Sequence, residues 1–409
     1  MIELPEPYAF NLLIVGVVII LSLLVRALFP RLQLPAMVGY ILIGMALSVG
    51  GSAFGMLTPL LRENLEFMAQ FGVVVLLFRV GLESDLDLLA RQLGKAAIIW
   101  LPNMAVAALF AFLVVYYWPG YGLVPALFVA VAASATSISA SEAIWEEAGA
   151  LKTPVGALLL DAAELDDITA VILMSLLFAL VPLLVGAIDG DPWSTAFTVV
   201  GLQLVKLAIL CAICYVFSRF AERPLTAWFV KTDNHLGALL FATGIALLIA
   251  ALADLMGFSL AIGALFAGLA FSRDPAEREI DKSFSELFVL FSPFFFVAIG
   301  LAVDVTLLGE ALGLGLALLV AAALGKFIGA ALPAALLTSP REGVLVGLSM
   351  IPRAEIFLIV ILHGVALGDW AVPEPLYIAA VLVSISTCIL APIAVRRLMA
   401  DRPRFEEAR

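Results

Sequence analysis

The sequence predicts an all-α polytopic membrane protein of about thirteen transmembrane helices, arranged as inverted repeats with two broken helices. Three observations carry this. First, of 409 residues 64% are hydrophobic and only 13% charged, whereas a soluble domain has about 45–50% apolar and about 25% charged residues. Second, with a mean hydropathy of +1.14, the apolar residues form continuous runs near the ~20 residues that a spanning helix needs, not the alternating pattern of a barrel. Third, Lys and Arg segregate to alternate connections.

Taken in order, the apolar runs place spans at about 8–29, 35–50, 65–82, 93–118, 122–144, 154–185 and 195–217, then 236–253, 258–271, 284–303, 311–336, 343–366 and 376–398. Glu3 and Glu6 stand where a cleaved leader wants Lys or Arg, so the first run is expected to be a retained span. Span two is short and Gly-rich and can tilt or break; span nine is also short. Span three carries Arg79 four residues before Glu83, an i,i+4 pair. Span five is interrupted by Ser134, Thr136, Ser137, Ser139, Ser141 and Glu142, and span twelve by the stretch MIPRAEI at 350–356. These two lie seven spans apart, so they cross in opposite directions, and paired broken helices in inverted repeats point to a midplane binding site.

Seventeen of the 22 Lys and Arg residues fall in one alternating set of connections, from Arg26 and Arg31 through Lys152 to the tail, against Arg62 alone in the other set. This places the first set in the cytoplasm, the N-terminus outside and the C-terminus inside. Arg79, Lys206, Lys326 and Arg353 lie within spans. No connection exceeds about 20 residues, too short for a soluble domain. The residues after Leu398 form a short basic-then-acidic tail expected to lack structure.

The net charge of −11 gives no footprint for nucleic acid and suits a protein that attracts cations. Cys211, Cys214 and Cys388 lie in apolar runs, and the C-x-x-C pair has no neighbouring Cys or His to complete a metal site. They read as buried free thiols.

Span six carries Asp161, Glu164, Asp166 and Asp167 within seven residues. An Asp near a helix centre costs about 2.5–3.5 kcal/mol on insertion scales, so these acids line water, pair with cations or hold protons. Asp166 lies about 13 residues in, or ~20 Å deep at about 1.5 Å per residue. Asp166 and Asp167 point about 100° apart and flank a site, with Asp161 and Glu164 as a shallower acidic approach from the cytoplasm. Burial and mutual repulsion make ionising such a pair costly, so protons compete with a hard metal cation for the same oxygens. Na⁺ and Li⁺ are such cations. Lys326, too deep in span eleven to snorkel, is the candidate partner of Asp166; the alternative is a permanent structural ion pair. In the broken span five, Thr136 and Ser137 are candidate supporting ligands, while Ser139 and Ser141 are assigned to packing. In span twelve Pro352 opens the helix, and Arg353 and Glu355 offset the charges of the crossing helix ends. His235 and His363 are the two residues able to titrate near neutrality, and Lys206 has no evident partner.

Four segments carry a family resemblance: LLFRVGLESDL (76–86), SATSIS (134–139), GALLLDAAELDDITAVIL (156–173) and GLSMIPRAEIFLIV (347–360). With these, the chain resembles the monovalent cation:proton antiporters, in the branch of bacterial sodium/proton antiporters and Kef-like potassium efflux proteins. The double Asp with Lys326 is similar to the electrogenic sodium/proton subgroup. The resemblance implies the antiporter fold with two crossed broken helices, no cofactor, a likeness to homodimers, and an elevator-like core. It allots 1–92 and 236–305 to dimerisation and scaffold, 93–185 and 311–398 to the ion-translocating core, 195–235 to a linking helix and loop, and 399–409 to a cytoplasmic tail. It also implies Asp167 as main cation ligand, Asp166 as proton carrier pairing with Lys326, Thr136 and Ser137 at the first crossover, and Arg353 and Glu355 at the second. Arg79, Glu142, Asp161 and Glu164 depart from the family's usual residues. The cytosolic nucleotide-binding domain of full Kef-like proteins is not in this sequence, and regulation through it is not expected.

The function expected is therefore a secondary antiporter in the bacterial inner membrane, exchanging Na⁺ or Li⁺ for protons, with monovalent cation, proton and the lipid bilayer as its partners and no enzymatic activity. The alternatives are a K⁺/H⁺ antiporter, a gated cation channel and a sensor that has lost transport. A channel needs a continuous pore with weak multiple sites, and a sensor has no need to keep Asp166, Asp167 and Lys326 together.

Overall fold

A computed structural model describes residues 7–55, 57–84, 86–185, 192–272 and 277–400. In chain order the helices are α1 (Pro7–Leu28), α2 (Ala36–Phe54), α3 (Pro59–Glu83), α4 (Leu86–Tyr117) and α5 (Leu123–Ser134). There follow α6 (Ser139–Glu147), α7 (Pro154–Leu184), α8 (Pro192–Val216), α9 (Arg223–Leu255) and α10 (Leu260–Phe271). The chain ends with α11 (Glu277–Leu301), α12 (Leu308–Leu337), α13 (Pro340–Ser349), α14 (Glu355–Leu367) and α15 (Glu374–Ala400). Among the described residues nine helices are long and apolar enough to cross a membrane, and α2, α5, α10 and α14 are shorter apolar helices. The all-helical membrane class expected from the sequence is the class observed.

Helix starts follow a local chemistry visible in the sequence. Thr58, Thr153 and Ser339 each precede a proline and accept a backbone N–H three residues on, from Leu61 at 3.2 Å, Gly156 at 3.2 Å and Glu342 at 3.4 Å. The hydroxyl satisfies one orphan donor, and the proline occupies a first-turn position where its missing N–H costs nothing. At α13 the Glu342 carboxylate also receives the Ser339 hydroxyl at 2.8 Å.

The chain divides into two compact units, Met1–Leu86 with Gly190–Val303, and Asp87–Asp189 with Asp304–Arg409. In the first unit α3 packs on α10 and α11, and α2 on α11. Backbones touch there: a Cβ on Gly81 would strike the carbonyl of Leu265, and one on Gly268 that of Phe78. Such contacts leave no room for a side chain between these helices. The second segment of the second unit opens at Asp304, which accepts the Thr306 N–H at 2.8 Å and its hydroxyl at 2.7 Å. These two donors, outside the spans, hold the Asp304 carboxyl below its ordinary range.

Several boundaries differ from expectation. α4 begins at Leu86 and α11 at Glu277, earlier than spans four and ten, because polar helix ends extend beyond the apolar window. Span two is one unbroken helix, α2. The connection expected at 218–235 is helical: a π segment, Phe217–Glu222, joins α8 to α9. Pro224 lacks the N–H that would bond back four residues, and the widened turn accommodates that loss. The Phe229 and Phe241 rings nevertheless meet at 4.9 Å, where a straight helix would separate these residues by about 18 Å. α9 is therefore not straight between these two residues. Lys206 finds its partner at the end of α9, donating to the Met256 carbonyl at 2.9 Å, a favourable place for a cation. Arg79 does pair with Glu83, at 2.8 Å, and lies over the Phe288 ring at 4.9 Å. α15 continues to Ala400, and the expected tail beyond it, like Glu3, Glu6 and the side chain of His235, lies outside the described residues.

Candidate functional site

The second unit holds two interrupted helices. α5 ends at Ser134 and α6 begins at Ser139, so the break is Ala135–Ile138, shorter than expected; Ser139, Ser141 and Glu142 are helical. No Gly or Pro causes it. The Ser134 hydroxyl instead bonds back to the Val131 carbonyl at 2.7 Å, the local competition by which hydroxyls loosen a helix end. The second break, between α13 and α14, contains Pro352, which withholds a donor and turns Ile351 out of the helical region.

The two breaks are laced together. The Ser137 N–H donates to the Pro352 carbonyl at 2.9 Å, and the Ser137 hydroxyl to Glu355 Oε2 at 2.7 Å. Arg353, fully buried, donates through Nη1 to the Ala135 carbonyl and lies 3.5 Å from that of Ala322. α15 clamps the same residue: the Arg353 N–H meets Thr387 Oγ1 at 3.2 Å, and the Ser384 hydroxyl donates to the Arg353 carbonyl at 2.7 Å. The last carbonyls of α5 lack helical partners and carry the negative end of its dipole. Two buried cations meet them, Arg353 at Ala135 and Lys326 at Ser134, the latter at 2.6 Å. Glu355 stands in the first turn of α14, the positive end. Below the crossing, the Trp145 ring N–H donates to Ser349 Oγ at 2.8 Å, joining α6 to α13 inside an apolar cluster with Leu158, Leu159 and Val346.

Asp166 stands on α7, fully buried, where three donors converge on a single oxygen. Lys326 Nζ and the Thr136 hydroxyl each reach Oδ2 at 2.6 Å, and Asn103 Nδ2 at 2.5 Å. The backbone N–H of Thr136 faces the neighbouring Asp167 carboxylate, so one crossover residue serves both acids. Asp166 Oδ1 and Asp167 Oδ1 are buried without a hydrogen-bond partner among the described residues. Asp167 is half-buried, as is Glu164, while Asp161 is buried beside Ala162 and Ala163.

The structure thus brings Asp166, Asp167, Thr136 and Lys326 together, and sets Ser137 against Glu355. Asp161 and Glu164 lie on α7 toward its N-terminus. Sequence reasoning missed Asn103 and Trp145; for Asn103 the signal was a lone amide after Pro102 within an apolar run. Lys326 owes its place to the glycines around it. A Cβ on Gly325 would lie 2.8 Å from Ala107 Cα, and one on Gly329 2.7 Å from Asn103 Cα. Gly329→Ala is expected to push α12 off α4, cost about 1–3 kcal/mol, and separate Lys326 from Asp166. Parental thermal stability and exchange rate in that variant would show that this approach is dispensable.

Residues 18–401 match the family model described as sodium/hydrogen exchanger, transmembrane. The chain is 29% identical to a Na⁺/H⁺ antiporter of Enterococcus hirae over 82% of this chain and 84% of that one. It is 26% identical to the Na⁺/H⁺-K⁺ antiporter GerN of Bacillus cereus over 92% and 93%. Among solved structures, the sodium proton antiporter MjNhaP1 from Methanocaldococcus jannaschii at pH 8 superposes with a TM-score of 0.72 at 16% identity, covering 97% of this chain and 99% of that one; this is a likeness of fold. A match spanning nearly the whole chain, on an all-helical membrane fold with paired carboxylates and a lysine buried between broken helices, settles the affiliation: the chain belongs to the sodium/hydrogen exchanger family.

Proposed function

We propose that the protein is a secondary antiporter exchanging Na⁺ or Li⁺ for protons by alternating access, with cation and proton competing for Asp166 and Asp167. The observation that carries this is the arrangement of the two carboxylates. One oxygen of Asp166 takes every donor, and Oδ1 of each acid is left as a hard acceptor at bilayer depth. Lys326 holds Asp166 while no cation is bound and yields when one enters, which couples the two fluxes. Thr136 fixes both acids. Ser137, Arg353 and Glu355 hold the crossing, and Asp161 with Glu164 forms the cytoplasmic approach. The protein acts without a cofactor as a homodimer in the bacterial plasma membrane, N-terminus outside and C-terminus cytoplasmic. Helices of the second unit carry the ion, and those of the first supply the dimer contacts.

K⁺ is the competing cargo, favoured by the name of the Bacillus cereus relative. Proteoliposomes loaded with a pH reporter separate the readings. Na⁺ or Li⁺ is expected to drive saturable proton movement, with K⁺ weaker. Saturable movement with K⁺ alone would reassign the cargo, conductance without proton coupling would indicate a channel, and silence with all three ions would defeat the exchange reading.

A further inference from the structure

Asn103 is fully buried midway along α4. A primary amide at membrane depth is costly unless both of its ends are used. Its Nδ2 is used, on Asp166 Oδ2 at 2.5 Å. Its Oδ1 is buried with no hydrogen-bond partner among the described residues. The orientation of the amide follows from its neighbour: Asp166 Oδ2 already accepts from Lys326 and Thr136, so only the NH₂ end can face it. Amide geometry puts Oδ1 about 2.3 Å from Nδ2, hence within about 5 Å of Asp166 Oδ2.

Two other oxygens in this neighbourhood share that condition, Asp166 Oδ1 and Asp167 Oδ1. All the donors sit on the opposite oxygen of Asp166, and Thr136 touches both acids. We propose that Asn103 is a direct ligand of the transported cation: its Oδ1 joins the two carboxylate oxygens and sets the preference for small monovalent ions. A neutral carbonyl oxygen adds coordination without a third charge, and small hard ions gain most from each added oxygen. Its Nδ2 meanwhile keeps Asp166 turned so that Oδ1 stays available. Gly329 supports this role, since its missing side chain lets α12 close on the Asn103 backbone.

The proposal rests on the exchange reading and is tested in a way that separates the two. Asn103→Leu keeps the branched skeleton and removes both amide ends. Half-saturating Na⁺ and Li⁺ are expected to rise about tenfold, near 1.4 kcal/mol of binding, with K⁺ changing less than about threefold, so the ratio among the ions shifts. A purely orienting role would lower the maximal rate for all three ions and leave that ratio in place. Cation-dependent thermal stabilisation of purified protein gives a readout independent of transport, because stabilisation tracks free ion over dissociation constant; the variant should need about tenfold more Na⁺ for the parental shift. Should the leucine variant fail to fold, Asn103→Ser is read in the same way. A parent that exchanges, with variants that keep its ion ratio and half-saturating concentrations, overturns the ligand role alone. A parent neither exchanging nor stabilised by any of the three ions overturns both.

Discussion

Replacing Asp167 by Asn is expected to abolish cation-driven proton movement while leaving the fold intact. Asp167 is the member of the pair that does not bond to Lys326, so its charge is not tied up in holding α7 to α12. An amide of the same size removes the anionic oxygen that a hard cation needs. At an effective dielectric of about 20, a unit charge pair 4 Å apart is worth about 4 kcal/mol, close to three orders of magnitude in affinity at about 1.4 kcal/mol for each tenfold. The loss in exchange at fixed Na⁺ should therefore be at least about 100-fold. Thermal stability should hold or rise, because a buried charge has been neutralised. Proteoliposome flux and thermal unfolding on the same preparation check both halves. Exchange at the parental half-saturating concentration in Asp167→Asn would remove Asp167 from the site.

Much of this was legible in the sequence, for physical reasons. Lipid offers the backbone no hydrogen bonds, so long apolar runs have to be helices, and α1, α7, α12 and α15 follow the hydropathy closely. The acids of α7 and Lys326 were visible because charge at bilayer depth is expensive. Pro352 marked the second break. Less visible was what depends on contacts across long sequence separation. Ser137 and Glu355 are 218 residues apart, and Trp145 and Ser349 are 204 apart; each looks unremarkable in its own span. Asn103 is a single neutral amide, well within what membrane helices tolerate. The helical stretch at 218–235 has no apolar signal because hydropathy reports lipid exposure, not helix content. Its residues Glu222, Arg223, Ala227 and Lys231 are good helix formers, but a cytoplasmic loop has the same hydropathy.

Lys326 should separate stability from coupling. It makes two bonds at 2.6 Å, to Asp166 Oδ2 and to the Ser134 carbonyl at the end of α5, with 0% side-chain exposure on both members of the ion pair. Lys326→Met removes the cation and leaves a carboxylate buried beside an unpaired helix end. Breaking a buried pair on one side costs about 3–5 kcal/mol, so thermal unfolding should fall well below that of the parent, and acidification, which neutralises the lone carboxylate, should restore part of the loss. Adding Asp166→Asn to the same chain removes both charges together and should recover stability relative to Lys326→Met, as expected for coupled neighbours. Exchange should not recover, because the group proposed to carry the proton is gone. In Lys326→Met the charge moved per cycle or its pH profile should differ from the parent, measured as proton flux with and without an imposed membrane potential. If electrogenicity and pH profile are unchanged while stability falls, Lys326 is a strut that ties α12 to the end of α5, and the coupling must reside in the carboxylates alone.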